Sequence, residues 1–257
     1  MPNKKLGQHW LKDRLILEAI ADSAGIQPSD TVLEIGPGLG TLTSSLLRRT
    51  KHVVAVEYDE ELARKLPAQF PGTELKVIHA DILTFDLSEL PAGYRVVANV
   101  PYYITQKIVE KFLAAENKPK NMTLLIQKEV AEKLAATEGS MTAIAVKLQS
   151  QYNVHASTRV PKEYFTPPPM VDSQVVVCNL LHVENYVYDN FKSLNRVVDA
   201  GFSSPRKKLR SSLSGGLGVS KEVAEQLCRR ASIDPEARAS DIPASAWTRV
   251  AEAYEAL

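Results

Sequence analysis

The chain has 257 residues, 44% of them apolar and 24% charged, which is enough to bury a full core and suits one large domain with a small appendage. Its 31 basic and 30 acidic residues leave a formal charge of +1, so the whole-chain balance says little about partners. Two distant cysteines, Cys178 and Cys228, without a CxxC spacing argue against a disulfide scaffold or zinc cluster, and no apolar run reaches a membrane span, so a soluble cytoplasmic protein is expected.

Met1 to Arg14 carries Lys4, Lys5, Lys12 and Arg14 against Asp13 alone, a modest phosphate-binding signal. Leu15 to Ala24 has helical spacing. TVLEIG (31–36), HVVAVE (52–57), LKVIHAD (75–81), RVVAN (95–99) and MTLLIQ (122–127) then read as five strands. Helix-like stretches such as LTSSLLRR and DEELARKLPAQF lie between them, which predicts repeated βα units and an α/β fold with parallel strands at the centre. AIAVKLQSQYNV (143–154) and SQVVVCNL (173–180) are candidates for the last two strands. Past Leu181 the period is helical, with Gly215, Gly216 and Gly218 separating the pieces, and a small helical lobe is expected. The expected division is a sheet domain with an amino-terminal lid over 1–182 and a helical domain over 183–257. Within the lobe, PRKKLR (205–210) sets Arg206, Lys207, Lys208 and Arg210 together, either as a phosphate-binding surface or as a solvated helix start after Pro205.

EIGPGLGTLT (34–43) follows a strand and opens a helix. Glycines at 36, 38 and 40 permit a tight turn and a close approach to a ligand whose negative or polar end meets the helix start. Thr41 stands where the dinucleotide fingerprint requires a small residue, so the spacing leans away from NAD. Glu57 ends the second strand, where a carboxylate can accept from both ribose hydroxyls, and Asp81 ends the third, where one can accept from an adenine amine. Together they outline an adenosine site, although each acid alone could be a solvated or capping group. His79, His155 and His182 are scattered without metal-ligand spacing, so no metal site is expected.

The ordered series KKLGQHWLKD, EIGPGLGTLT, the acids at 57 and 81, NVPYYI (99–104), QKEVAEKL, FTPPPMVDSQVV and FSSPRKKLRSSL resembles, over essentially the whole chain, the small-subunit rRNA adenine-N6,N6-dimethyltransferase family (KsgA/RsmA type). That resemblance implies a class I S-adenosyl-L-methionine (SAM) methyltransferase: a Rossmann-like, mostly parallel seven-stranded sheet with a small carboxy-terminal helical domain. It implies that His9 and Leu11 line the cofactor site at the lid and that Gly36, with Gly38, contacts the methionine end of SAM. Glu57 would hold the ribose, Asp81 with Ile82 the adenine, and Asn99 would stand between cofactor and target base. Lys4, Lys5 and Lys12 on the lid and the basic cluster at 206–210 would bind 16S rRNA within the small subunit or its precursor, and a monomer is expected. Trp10, Val100 and Met170 depart from the common family residues; the first two keep apolar character and the third removes a possible RNA-contacting charge.

An adenine amine is a poor nucleophile because its lone pair is drawn into the ring. Acceptors that hold its hydrogens favour a pyramidal nitrogen, and the Asn99 side-chain oxygen and the Pro101 carbonyl are expected to do this, with no general base required. Tyr102 is expected to stack on the flipped adenine and Phe165 to form a second wall, while Tyr103, adjacent in an extended segment, is expected in the core. Asp172 and Ser173 could brace this loop or be purely structural. A DNA adenine methyltransferase, an erythromycin-resistance rRNA methyltransferase, or a SAM-binding relative kept for ribosome assembly remain alternatives.

Overall fold

The computed structural model describes residues 8–181 and 190–257; Lys4, Lys5 and His182 lie outside them. A two-residue strand, β1 (Trp10–Leu11), precedes α1 (Arg14–Ser23), which Asp13 caps by accepting the Ile16 N–H at 3.0 Å. The next five strands form where their β-branched runs place them: β2 (Thr31–Ile35), β3 (His52–Glu57), β4 (Lys76–His79), β5 (Arg95–Asn99) and β6 (Asn121–Gln127). Their runs are nearly continuous because a parallel sheet is covered on both faces, and Asn121–Ile126 is buried throughout. Helices α2 (Thr41–Leu47), α3 (Glu60–Lys65) and α4 (Thr105–Ala114) fall between them.

Beyond β6 come α5 (Lys128–Leu134), α6 (Ala143–Gln149), β7 (Tyr152–Val160), β8 (Phe165–Thr166) and β9 (Ser173–Leu180). The seven-stranded sheet runs β4-β3-β2-β5-β6-β9-β7, while β1 and β8 form a separate antiparallel pair. Four neighbouring pairs, β2/β3, β3/β4, β2/β5 and β5/β6, are parallel, and β9 is antiparallel to β6. The chain steps outward from β2 through β3 to β4, then returns to β5 on the other flank of β2. That reversal leaves a crevice at the carboxyl ends of β2 and β5, where open α/β sheets bind ligands.

One expected strand is displaced. Residues 143–149 are helical, because Thr142 caps them by accepting the Ala145 N–H at 3.3 Å and Ala145, Val146 and Leu148 share the buried face. A short apolar run does not distinguish strand from helix by period, and the strand begins only at Tyr152.

The chain divides into a unit of Met1–Ala131 with His155–Leu180 and a unit of Glu132–Val154 with Leu181–Leu257, so residues 132–154 depart from the division expected at 182/183. The second unit contains α7 (Phe191–Phe202), α8 (Leu209–Leu217), α9 (Lys221–Arg230) and α10 (Ala244–Glu255), packed on a core that includes Leu194, Leu213, Leu227 and the fully buried Trp247. Gly215 and Gly216 lie inside α8 rather than between helices, and only Gly218, at φ +71°, ends it. A Cβ at Gly216 would stand 2.5 Å from the Ala200 Cα, so this glycine lets α7 and α8 approach. No helix among the described residues is long and apolar enough to cross a membrane.

Candidate active site

After β2 the chain turns through Gly36, Pro37, Gly38, Leu39 and Gly40 into α2. Gly36 and Gly38 are left-handed, at φ +63° and +57°. Nothing lies within 4 Å of where a Gly36 Cβ would project, whereas one at Gly38 would stand 3.5 Å from Trp10 Nε1. A cavity of about 420 Å³ lies against this turn, bordered by the carboxyl ends of β2, β3 and β5 and by the lid residues Gln8–Leu11. Thr41, the residue that disfavours a dinucleotide site, anchors the lid: its Oγ1 donates to the Leu11 carbonyl at 2.9 Å.

Three acids border the cavity. Glu57 is buried at the end of β3, and its two oxygens accept the Gly38 N–H at 3.0 Å and the Asp59 N–H at 2.9 Å. Burial raises its carboxyl above the ordinary range, against the pull of those N–H groups. Asp81 Oδ1 accepts the Leu83 N–H at 2.8 Å, and the loop that follows is tied to α4 by Lys111 Nζ, which donates to the Phe85 carbonyl at 2.7 Å. Buried Ile82 lines the cavity beside it. The sequence reading missed Glu34, which is 1% exposed and accepts from Thr43 Oγ1 at 2.6 Å. Burial pushes its carboxyl up to about 8, opposed by the Thr43 hydroxyl and reinforced by the Glu57 charge. The available signal was an acid within the apolar strand TVLEI.

Asn99 ends β5, and its Nδ2 donates to the His9 carbonyl at 3.2 Å. A carbonyl only accepts, so this bond turns the Asn99 side-chain oxygen away from the lid backbone and leaves it for the cavity that Asn99 lines. Residues Tyr102–Ile104 form a 3₁₀ turn, not an extended segment. Two expectations change as a result. The Pro101 carbonyl is engaged by the Ile104 N–H at 3.2 Å and the Thr105 hydroxyl at 3.4 Å, so it is not the second acceptor facing a base. Tyr103 is 62% exposed at the cavity edge instead of buried.

Tyr102 is half-buried, and its hydroxyl pairs with Ser173 Oγ at 2.7 Å. Phe165, expected as a second wall, is 2% exposed, registered opposite Leu11 in the β1/β8 pair and packed in the core, and it is not among the residues that border the cavity. His9 and Leu11 do border the cavity.

The basic residues separate into two kinds. Lys12 is exposed on the lid side of the first unit. In the second unit Arg206 and Lys207 are exposed and have no carboxylate partner among the described residues, whereas Lys208 pairs with Glu236 and Arg210 with Glu225 at 2.6 Å and Glu236 at 2.9 Å.

The cavity suits a nucleoside-bearing ligand: its volume is within the roughly 300–1,000 Å³ of small-molecule sites, its glycine turn leaves open space for close approach, and its carboxylates match hydroxyl and amine donors. Such a site at the switch point of this sheet defines a class I, Rossmann-like, SAM-dependent methyltransferase. The chain matches ribosomal RNA adenine dimethylase over residues 2–256 and belongs to that family. It is 38% identical over 257 residues to the ribosomal RNA small subunit methyltransferase A of Dehalococcoides mccartyi, covering 98% of this chain and 88% of that one. Among solved structures it is similar to a dimethyladenosine transferase from Plasmodium falciparum, with a TM-score of 0.79, 25% identity, and coverage of 94% of this chain and 96% of that one. It is also similar to the 23S rRNA methyltransferase ErmE, with a TM-score of 0.76, 26% identity, and coverage of 96% and 99%.

Proposed function

We propose that the protein transfers methyl groups from SAM to N6 of two adjacent adenines in the hairpin near the 3′ end of 16S rRNA, giving N6,N6-dimethyladenosine during small-subunit biogenesis. It acts as a cytoplasmic monomer on the small subunit or its precursor. When bound, SAM supplies an electrophilic methyl carbon. Glu57 holds the ribose hydroxyls and Asp81, through the oxygen not used by Leu83, accepts from the adenine amine of the cofactor.

On the substrate side, the Asn99 oxygen accepts one hydrogen of the target amine. The second acceptor is the Val100 carbonyl, because the Pro101 carbonyl closes the 3₁₀ turn and Val100 borders the same cavity. Tyr102 stacks on the everted ring. The proton leaves the nitrogen for solvent after transfer, so no side chain need act as a base. The Arg206 and Lys207 side chains meet phosphates, as does Lys12.

The observation that carries this reading is the Asn99 side-chain oxygen, oriented by the His9 carbonyl toward a nucleoside-sized cavity with Tyr102 beside it. A second reading, methylation of large-subunit RNA, is favoured by the similarity to ErmE. Incubation with labelled SAM and unmodified small or large subunits, followed by mapping, separates the two. Two neighbouring dimethylated adenines near the 3′ end of 16S rRNA are expected. Label confined to the large subunit would transfer the assignment to the second reading, and no label in either would reject both.

A further inference from the structure

Asp81 stands where the sheet gives a loop little support. β4 is an edge strand, and although the Ala80 N–H still bonds the Glu57 carbonyl at 3.0 Å, the chain from Asp81 to Asp86 has left the ladder. Its backbone donors turn inward on Asp81 instead. The Leu83 N–H meets Asp81 Oδ1 at 2.8 Å, and the Thr84 and Phe85 N–H groups meet the Asp81 carbonyl at 3.0 and 2.9 Å. Drawing the donors toward one residue leaves the carbonyls of the loop in need of a partner of their own, since Ile82 and Phe85 bury this stretch.

Lys111 is that partner. Its Nζ donates to the Leu83 carbonyl at 3.2 Å and to the Phe85 carbonyl at 2.7 Å. An ammonium offers three donors on a flexible stem, so one side chain can collect two carbonyls that face the same way. Burial lowers its pKa from the ordinary lysine value, opposed by the charges of Asp86 and Asp81. The stem rises from a fixed base, because α4 buries Ile108, Val109, Phe112 and Leu113. The same helix begins at Thr105, directly after the 3₁₀ turn that carries Tyr102. One helix therefore steadies the loop at Asp81 from its last turn and continues the loop at Asn99 from its first.

We propose that Lys111 is a positioning residue for the adenine of the cofactor. By collecting the Leu83 and Phe85 carbonyls it fixes the loop that presents the Asp81 oxygen not used by Leu83, and so sets the preference for an amino over an oxo purine. The inference rests on the reading that Asp81 accepts from the adenine amine of SAM.

The test measures, by calorimetry, the dissociation constants of S-adenosylhomocysteine and of S-inosylhomocysteine, whose ring carries a carbonyl oxygen where adenine carries its amine. Wild type is compared with Lys111→Met, Lys111→Gln and Lys111→Arg, and urea unfolding of each is followed separately. Wild type should prefer the adenosyl ligand roughly 10- to 100-fold, the scale of a hydrogen bond to a charged group. Lys111→Met removes the donors and should cut that preference roughly 5-fold or more, while affinity for the inosyl ligand, which never makes the bond, changes little. Lys111→Arg keeps charge and donors and should restore most of the preference. Lys111→Gln, with an amide donor on a shorter stem, should fall between them.

Lower stability in Lys111→Met is expected whether the residue positions the loop or only holds the fold, so the ligand preference decides. Lower stability with an unchanged preference, equal losses for the two ligands, or no rescue by Lys111→Arg would overturn the proposal. Should Lys111→Met not fold, Lys111→Gln carries the test, and a preference equal to that of wild type would overturn it. Wild type that binds both ligands equally would instead sink the assignment of Asp81 to the adenine, whereas a discriminating wild type with equally discriminating variants sinks this inference alone.

Discussion

Replacing Glu34 with glutamine should make the protein's stability less sensitive to pH, and by a calculable amount. The Glu34 carboxyl is buried within β2, and its pKa is moved from 4.5 up to about 8 chiefly by that burial. The native state therefore keeps a proton that the unfolded chain releases above pH 4.5. The stabilising contribution is intact below that value and is lost as pH rises through about 8. At up to about 1.4 kcal/mol per pH unit, less where either state is only partly ionised, the wild-type chain loses about 3 to 4 kcal/mol from this group between pH 5 and pH 8. The Glu34→Gln side chain has nothing to titrate, yet its amide oxygen can still accept from Thr43. Urea unfolding at several pH values should show the variant gaining on wild type by about 3 to 4 kcal/mol across that window. Taking the difference largely cancels Glu57, whose raised carboxyl moves both proteins in the same direction. A difference that does not change with pH would show that Glu34 is not held protonated by its burial beside the cavity.

Asn99→Ala should lower the single-turnover rate roughly 100-fold, as loss of a preorganised polar partner at a reacting centre does, with SAM affinity little changed; an unchanged rate would remove Asn99 from the chemistry. Asp81→Ala should raise the SAM dissociation constant by roughly 10- to 100-fold, the scale of a hydrogen bond to a charged group, and equal calorimetric affinity would exclude it from the cofactor site. Neutralising Arg206 and Lys207 together should flatten the salt dependence of RNA binding, reducing the log–log slope by roughly 0.7–0.9 per lost phosphate contact. The same change at Lys208 and Arg210 should act first on the ion pairs with Glu236 and Glu225, so equal slope losses from both pairs would refute the distinction.

The sheet was legible because its strands are short apolar runs with turn residues at their ends, and the acids at 57 and 81 close two of those runs. The glycine turn was legible for the same reason: left-handed backbone at Gly36 and Gly38 leaves a mark in the sequence. What was hidden depended on partners remote in the chain. Nothing local to Arg210 announces Glu225 and Glu236, and nothing local to Gly216 announces Ala200. Thr41 read only as a residue unsuited to one cofactor until the Leu11 carbonyl gave it a partner 30 positions away.

The errors at Pro101 and Tyr103 share one cause. Alternation of side chains between two faces holds for extended chain, the conformation expected where Tyr103 follows Tyr102. The chain instead tightens after Pro101, and the Ile104 N–H closes back on the Pro101 carbonyl at 3.2 Å. That bond uses the carbonyl that had been assigned to the base, and the 3₁₀ turn brings Tyr103 outward while Tyr102 reaches Ser173. The proline still matters, but as the fixed start of a turn: its ring holds φ at −57°, from which Tyr102–Ile104 can wind. Rigidity and acceptor therefore belong to neighbouring residues, Pro101 supplying the first and Val100 the second. A proline-to-alanine change at 101 should thus cost transfer rate through a looser Tyr102, in step with Ser173→Ala, and a loss much larger than that of Ser173→Ala would return the carbonyl of Pro101 to the chemistry.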